Sequence, residues 1–327
     1  MSTSARAPRR GLVLGGGGVL GGTWAVGALA ALEERYGFTV ADADIIVGTS
    51  AGSVLAGLIG AGVTVDQLRR HYVDEDVVDG PLAGYVFDPV QATGGSRPGM
   101  PRLLGPGSPK LVGASLRRLG RLPATTVVSA FMPEGTRSLE RIGHLIDAIT
   151  PWGEWSPHPG LWVVAMDYDD GKRVVFGRPG APVVPLSRAI VASCSIPGWF
   201  QPVVINGHTY VDGGAVSATS IDVLAHAGLD EVYVIAPMVS FETDRPSGVG
   251  ARLERRWRSE VTKAARAEAA KVRATGAVVR MIGPGPEDLV AIGANLMDDT
   301  RRRFVLETSL RTSDDAWRAA DGLVAAG

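Results

Sequence analysis

Residues 44–61 have the sequence DIIVGTSAGSVLAGLIGA, which combines a strand signal, a turn and a helix signal. The apolar run 44–47 predicts a buried strand, and the small-residue run 53–61 predicts a helix. Between them, Gly48-Thr49-Ser50-Ala51-Gly52 fits the pattern G-x-S-x-G in the strand–turn–helix context that this motif requires. The glycines allow a sharp turn that projects the Ser50 hydroxyl, and the next helix directs its positive end toward developing negative charge. Ser50 is therefore a candidate nucleophile, and the alternative is a glycine-rich turn with an idle serine.

A similar unit lies earlier in the chain, where residues 11–14 predict a strand and residues 22–36 predict a helix. The connecting loop contains a run of glycines, namely Gly15, Gly16, Gly17, Gly18 and Gly21. Amides in such a loop can face an anion without side chains in the way, so this loop and the Ala51 amide form a candidate oxyanion hole. The spacing Gly16-x-Gly18-x-x-Gly21 also fits a dinucleotide-binding fingerprint. That alternative requires an acidic residue at the end of the second strand, but here Val47 leads directly into the serine turn.

The rest of the chain continues the alternation of strands and helices. Residues 161–168 and 172–176 predict a hairpin around Asp169-Asp170-Gly171, and residues 186–195 predict a helix. Short strands are predicted at 203–205 and 209–211, and a buried strand at 231–236. This alternation predicts an α/β fold with a central, mainly parallel sheet and helices on both faces.

The domain organisation predicted from this pattern is a flexible N-terminus over residues 1–10, followed by one domain over residues 11–327. Residues 80–109 are an insertion in which 13 of 30 residues are Gly or Pro, so no long regular element is expected there. A loop of this length is usually functional or disordered. The two interpretations are a cap near the site and a surface excursion.

Composition limits the partners of this chain. Its 327 residues are 45% hydrophobic and carry a formal net charge of −1, which gives no reason to expect nucleic acid. No apolar run is long enough to span a bilayer, so any membrane contact is expected to be peripheral. The single cysteine, Cys194, excludes an internal disulfide and fits a reducing compartment, which favours a cytoplasmic protein, although a secreted protein without disulfides would look the same. No cluster of His, Cys and carboxylate residues has metal-ligand spacing, so no metal is expected.

Residues 252–275 predict a long helix with eight Lys or Arg residues and three Glu residues. The first interpretation is a solvated helix face. The second is a membrane-surface helix with Leu253, Trp257 and Val261 turned toward the protein or the lipid. The sequence leaves both open.

A second candidate for chemistry is Asp212, which with Gly213 and Gly214 follows the strand predicted at 209–211. A carboxylate at a strand end could orient or deprotonate a serine that the fold brings close. Taken alone, Asp-Gly-Gly is most often a turn.

Four ordered motifs together resemble the patatin-like phospholipase family over most of the chain: GGGGVLGGTWAVGALAALEE, GTSAGS, ASCSIPGWFQPVVINGHTYVDGG and the apolar strand after it. The resemblance implies a three-layer α/β fold and hydrolysis of lipid acyl esters by a Ser–Asp dyad without histidine or cofactor. By position, Ser50 resembles the nucleophile and Asp212 the base. Gly16, Gly17 and Gly18 resemble the oxyanion hole.

The chain departs from the family pattern at Leu20, where the first glycine loop usually carries Arg or Lys. A basic side chain beside that loop would attract a phosphate, which leucine cannot do. We therefore expect Leu20 to favour neutral esters or thioesters over anionic phospholipids.

Three alternatives remain at the level of function. A histidine-dependent α/β-hydrolase would use the order Ser50, Asp212 and His226, although that fold places its nucleophile after more strands than the two predicted here. A nucleotide-binding module would use the loop from Gly16 to Gly21, and a non-catalytic relative would only bind lipid. The expected partner is a lipid or another acyl ester, and the sequence leaves the oligomeric state unknown.

Overall fold

The computed structural model describes residues 6–85, 107–117, 122–151, 153–242 and 248–325. The strands are β1 (Arg10–Leu14), β2 (Ile45–Thr49), β3 (Leu161–Asp167), β4 (Arg173–Phe176), β5 (Val203–Ile205), β6 (His208–Asp212), β7 (Glu231–Ile235) and β8 (Val278–Ile282). The helices are α1 (Gly18–Tyr36), α2 (Ala51–Gly60), α3 (Val65–Tyr72), α4 (Pro109–Arg117), α5 (Ala124–Ala130), α6 (Glu140–Ile149), α7 (Leu186–Cys194), α8 (Val249–Arg273), α9 (Pro286–Ile292) and α10 (Arg302–Ala325).

The strands form one mainly parallel sheet in the order β5-β6-β3-β2-β1-β7-β8, with β4 paired to β3. Successive residues of β1 enter different apolar cores: Leu12 and Leu14 pack with α1, α2 and α10, and Val13 packs with α8. Because side chains alternate between the faces of a strand, the two cores lie on opposite faces of the sheet. The predicted α/β fold with helices on both faces is confirmed.

The register around β3 brings two distant parts of the chain together. β2 pairs with residues 161–164 of β3, β6 pairs with residues 165–167, and β4 pairs with residues 163–166. Because a strand has two edges and β4 overlaps both partners, β2 and β6 share one edge of β3 and meet end to end. Thr49 lies opposite Val164, and Asp212 lies opposite Ala165.

Some predicted boundaries are wrong, and the reasons are local. Helix α1 begins at Gly18 rather than at residue 22, so Gly18 and Gly21, which were assigned to the loop, lie inside the helix. Residues 6–10 belong to the N-terminus that was expected to be flexible, but they contact the rest of the domain. The Arg6 guanidinium and the Arg9 amide both donate to the Asp230 carboxylate, and β1 begins at Arg10. Most of the insertion at 80–109 lies outside the described residues, so its proposed role as a cap stays a prediction.

The basic helix predicted at 252–275 is present as α8, and it is not solvated throughout. Arg258 is buried and donates from Nη1 to the backbone oxygen of Pro237 at 2.6 Å. Val261 packs against the apolar core under α8, whereas Trp257 is 43% exposed. Among the described residues, no helix is long and apolar enough to cross a membrane.

Candidate active site

The turn after β2 holds Ser50 in an unusual backbone conformation, with φ of 53° and ψ of −128°. Positive φ is uncommon for a residue with a side chain and persists only where the surroundings enforce it. Here the Ser50 amide donates to Ser193 Oγ at 2.9 Å, and Ser193 Oγ donates to the Val164 oxygen at 2.6 Å. Helix α7 and strand β3 therefore hold the turn in place.

The two glycines of the turn are required by close packing. A Cβ on Gly52 would overlap the backbone oxygen of Leu14, and a Cβ on Gly48 would come within 2.5 Å of the Ser53 Cα. Helix α2 can therefore lie directly against the ends of β1 and β2. This packing places the first turn of α2 beside the Ser50 side chain.

Ser50 and Asp212 form a direct hydrogen bond. Ser50 Oγ donates to Asp212 Oδ2 at 2.6 Å, and the Gly214 amide donates to Asp212 Oδ1 at 2.7 Å. The Asp212 amide donates to the Ser195 oxygen at 2.9 Å, which holds the end of β6 against α7. Both site side chains are buried, with Ser50 8% and Asp212 4% exposed.

The environment of Asp212 suits a proton acceptor. Burial raises the pKa of Asp212 to about 6, and the hydrogen bonds from Ser50 and Gly214 oppose that rise only in part. A carboxyl group with a pKa near 6 is mainly ionised at neutral pH and is a stronger base than an ordinary aspartate.

The glycine loop lies directly against the serine turn, because a Cβ on Gly16 would come within 3.2 Å of Ser50 Cβ. The Gly16 amide, however, donates to the backbone oxygen of Ala218 at 2.9 Å, so it is not available to a substrate oxygen in this arrangement. Gly17 precedes α1, and Gly18 and Ala51 begin α1 and α2. Amides at these positions have no partner inside the helix and carry its partial positive charge.

A cavity of about 90 Å³ opens beside Ser50. Most of its walls are apolar, and the residues that line it are Gly18, Val19, Ser50, Ala51, Val54, Leu58, His71, Tyr72, Leu139, Ile142, Leu145, Cys194, Ile196, Phe200, Met297 and Arg302. Cys194 is not a rival nucleophile, because burial raises the pKa of its thiol far above the usual range.

Other residues singled out from the sequence lie away from Ser50. Leu20 is fully buried in the core and does not line the cavity, so it has no contact through which to set a preference for a head group. His226 lines a separate groove with Arg173 and Asp222, and Asp212 occupies the position next to Ser50. Within the described residues, no cluster of three or more His, Cys, Asp and Glu residues could hold a metal ion.

Two residues of this site, Ser193 and Arg302, have no recognisable signal in the sequence. Ser193 lies inside the motif ASCSIP, where serine is adjacent to other small residues and no spacing signals its contact with Ser50. Arg302 lies 252 residues after Ser50 in the chain, at the start of α10. Only the packing of α10 reveals that Arg302 reaches the cavity.

Comparisons with known proteins found one family model and several solved structures that match this chain. It matches the family described as Patatin-like phospholipase over residues 12–99 and 154–225, ranges that contain Ser50 and Asp212 and end before Arg302. It is similar to the structure of VipD from Legionella pneumophila, with 13% identity and a TM-score of 0.44 over 98% of this chain and 72% of that one. It is also similar to the type III effector protein ExoU, with 16% identity and a TM-score of 0.36 over 96% of this chain and 53% of that one.

Proposed function

Because this chain belongs to the patatin-like phospholipase family, we propose that it hydrolyses acyl esters of lipids with Ser50 as nucleophile and Asp212 as base. The observation that carries the proposal is the 2.6 Å hydrogen bond from Ser50 Oγ to Asp212 Oδ2. A nucleophile and its base within hydrogen-bond reach, with the base oriented by a third group, are the geometric signature of covalent catalysis. The Gly214 amide is that third group, since it fixes Asp212 Oδ1.

In the first step, Ser50 Oγ attacks the ester carbonyl carbon and Asp212 Oδ2 accepts the hydroxyl proton. The carbonyl oxygen becomes an oxyanion, which the amides of Gly17, Gly18 and Ala51 stabilise by hydrogen bonding. Gly16, expected to contribute a fourth amide, instead supports the loop through its bond to Ala218.

The acylation step ends when the alcohol leaves. Asp212 returns its proton to the alcohol oxygen as the carbon–oxygen bond breaks, and the acyl group stays on Ser50. Asp212 next accepts a proton from water, and the resulting hydroxide attacks the acyl carbon. The acid product departs, and Asp212 returns the proton to Ser50 Oγ, so that the enzyme is restored without a cofactor.

The walls of the cavity support a lipid substrate. Side chains such as Leu58, Ile142 and Phe200 line the space next to Ser50 and offer apolar contact to an acyl chain. Removing such a chain from water is favourable by about 0.8 kcal/mol for each buried CH₂ group.

The test is covalent labelling with a fluorophosphonate probe, combined with turnover of a decanoyl ester. We expect Ser50→Ala to abolish labelling and turnover while the protein remains folded, because the change removes only one oxygen. Ser240→Ala is the matched control, since the Ser240 hydroxyl bonds to the Glu242 oxygen and does not line the cavity. Labelling of the Ser50→Ala protein at wild-type level would overturn the proposal.

A further inference from the structure

A cationic side chain, that of Arg302, lines the cavity beside Ser50. Of the residues that the structure describes in its lining, only Arg302 carries a charge at neutral pH. His71 is the other titratable cation in the lining, and burial together with the charge of Arg302 lowers the pKa of His71 to about 4. The Arg302 side chain is 12% exposed. A largely apolar cavity is thus lined by both the proposed nucleophile and one cationic group.

The hydrogen bonds of Arg302 leave part of its guanidinium for a ligand. Nε donates to the Asp299 oxygen at 3.3 Å, Nη1 to the Tyr72 oxygen at 3.1 Å, and Nη2 to Asp74 Oδ2 at 2.7 Å. A guanidinium has five N–H donors, so these contacts account for three of them.

The counter-ion of Arg302 lies on the solvent side. Asp74 is 63% exposed and does not line the cavity. Asp74 therefore contacts Arg302 outside the cavity, and none of the described residues in the lining is an anion that could pair with Arg302 from the cavity side.

Arg302 reaches this position because the loop before α10 packs on the first glycine loop. The Leu20 amide donates to the Leu296 oxygen at 2.9 Å, and a Cβ on Gly18 would come within 3.0 Å of the Met297 sulfur. The Leu20 side chain is buried in the core and does not line the cavity, so the glycine loop supplies no cation there. The cation of this site therefore comes from α10.

We propose that Arg302 is a specificity-determining residue that binds an anionic group, phosphate or carboxylate, on the ester that Ser50 cleaves. The inference rests on the proposed function and deepens it by naming the substrate class. A guanidinium pairs with phosphate or carboxylate oxygens through parallel hydrogen bonds, which are stronger when both groups are charged. The apolar walls contact the acyl chain of the same molecule.

A purely structural role for Arg302 makes a different prediction. The neighbouring Arg303 also joins α10 to the end of α3, since its Nη2 donates to the Val73 oxygen at 3.2 Å. Arg303 does not line the cavity, and its side chain is 61% exposed. If Arg302 only held α3 in place, Arg302→Met and Arg303→Met would have similar effects on substrate choice.

The experiment compares two matched substrate pairs. The phosphate pair is decanoyl lysophosphatidate and monodecanoylglycerol, and the carboxylate pair is 4-nitrophenyl hydrogen glutarate and its methyl ester. We expect Arg302→Met to lower the anionic-to-neutral ratio of kcat/KM by about 10- to 100-fold for at least one pair, mainly through KM. Arg302→Lys should retain part of the ratio, and Arg303→Met should retain all of it. An unchanged ratio for both pairs in Arg302→Met, or an equal fall in Arg303→Met, would overturn the inference.

A binding measurement separates this inference from the proposed function. In a Ser50→Ala background, we expect Arg302→Met to weaken binding of decanoyl lysophosphatidate or hydrogen glutarate ester more than binding of the neutral partner. If Ser50 proves not to be catalytic, this measurement still tests Arg302, and equal effects on both partners would reject the inference. If Arg302→Met does not fold, Arg302→Gln provides the test: it keeps side-chain N–H donors but removes the charge, so the anionic preference should fall, and an unchanged preference would contradict the proposal.

Discussion

At the scale of single residues, Ser193 connects the proposed nucleophile to the sheet. Its Oγ accepts from the Ser50 amide and donates to the Val164 oxygen, and Ser193 is fully buried. These bonds are what hold Ser50 at positive φ beside Asp212. We therefore expect Ser193 to position Ser50 without contacting the reacting atoms.

We predict that Ser193→Ala lowers the free energy of unfolding by about 1–3 kcal/mol, because the buried Ser50 amide loses its acceptor. It should also lower kcat more than it raises KM. Ser195→Ala is the matched control: Ser195 is equally buried, but its Oγ bonds to the Val191 oxygen within α7. Urea unfolding and steady-state kinetics are the measurements, and equal losses of kcat in the two variants would contradict the positioning role.

The pKa of Asp212 predicts the pH profile of the reaction. Because only the ionised carboxylate can accept the Ser50 proton, kcat/KM should rise with pH and level off above about 6. Asp212→Asn should lower turnover on the order of 100-fold or more and remove this rise, whereas His226→Ala should change neither. The measurement is turnover of a soluble nitrophenyl ester across the range, and an inactive but folded His226→Ala protein would instead favour a histidine-dependent triad.

At the scale of secondary-structure elements, the packing of α1 against α10 fixes the positions of two parts of the site. Ser309 Oγ donates to the Trp24 oxygen at 2.6 Å, and Trp317 Nε1 donates to the Ala28 oxygen at 3.0 Å. The two helices approach closely at Gly27, where a Cβ would come within 2.5 Å of Ser309 Oγ. This crossing orients both the N-terminus of α1 at the glycine loop and Arg302 at the start of α10.

We predict opposite effects for alanine at two helical glycines. Gly27→Ala should lower the free energy of unfolding by about 1–3 kcal/mol, because the added methyl group overpacks the crossing. Gly322→Ala, in the same pair of helices, should raise it by about 0.5–1 kcal/mol, because no atom lies within 4 Å of the added carbon and alanine favours the helix. Thermal unfolding measures both, and a stable Gly27→Ala protein would show that the helices can separate at little cost.

At the scale of the whole molecule, burial of carboxyl groups connects stability to pH. Burial raises the pKa values of Asp212, Glu268 and Asp288 in the folded protein. Such a group binds its proton more tightly in the folded than in the unfolded chain. The free energy of unfolding therefore falls as pH rises from the unfolded pKa to the folded one.

For Asp212, this window runs from the ordinary value of 3.8 to about 6. We predict that Asp212→Asn raises the free energy of unfolding by about 3 kcal/mol at a pH well above 6 and that the gain vanishes below the window. Asparagine retains an oxygen for the Gly214 amide, and its NH₂ group can donate to the Ser50 hydroxyl, so the loss of charge is the main change. Urea unfolding on both sides of the window is the measurement, and a gain independent of pH would show that the charge of Asp212 is not the cause.

Much of the candidate site could be predicted because its parts are local in sequence. The serine turn needs Gly48 and Gly52 within five consecutive residues, and a turn after a strand needs only Gly213 and Gly214 beside Asp212. Turn geometry and strand or helix periodicity depend on neighbouring residues, so a short stretch contains the information. The α/β fold class follows from the same local signals.

Contacts between distant residues were decided by the tertiary structure alone. Ser50 and Asp212 are 162 residues apart, and their hydrogen bond depends on the register that sets β2 and β6 end to end along β3. The Gly16 amide donates to the Ala218 oxygen, and Arg302 of α10 lines the cavity. No spacing in the sequence indicates either contact. The side chains that could react were evident from the sequence, because reactivity is a property of residue type and local backbone. The packing of strands and helices decided which of these side chains are in contact and which cation lines the cavity. These contacts join residues that are far apart in the sequence, so no local pattern indicates them.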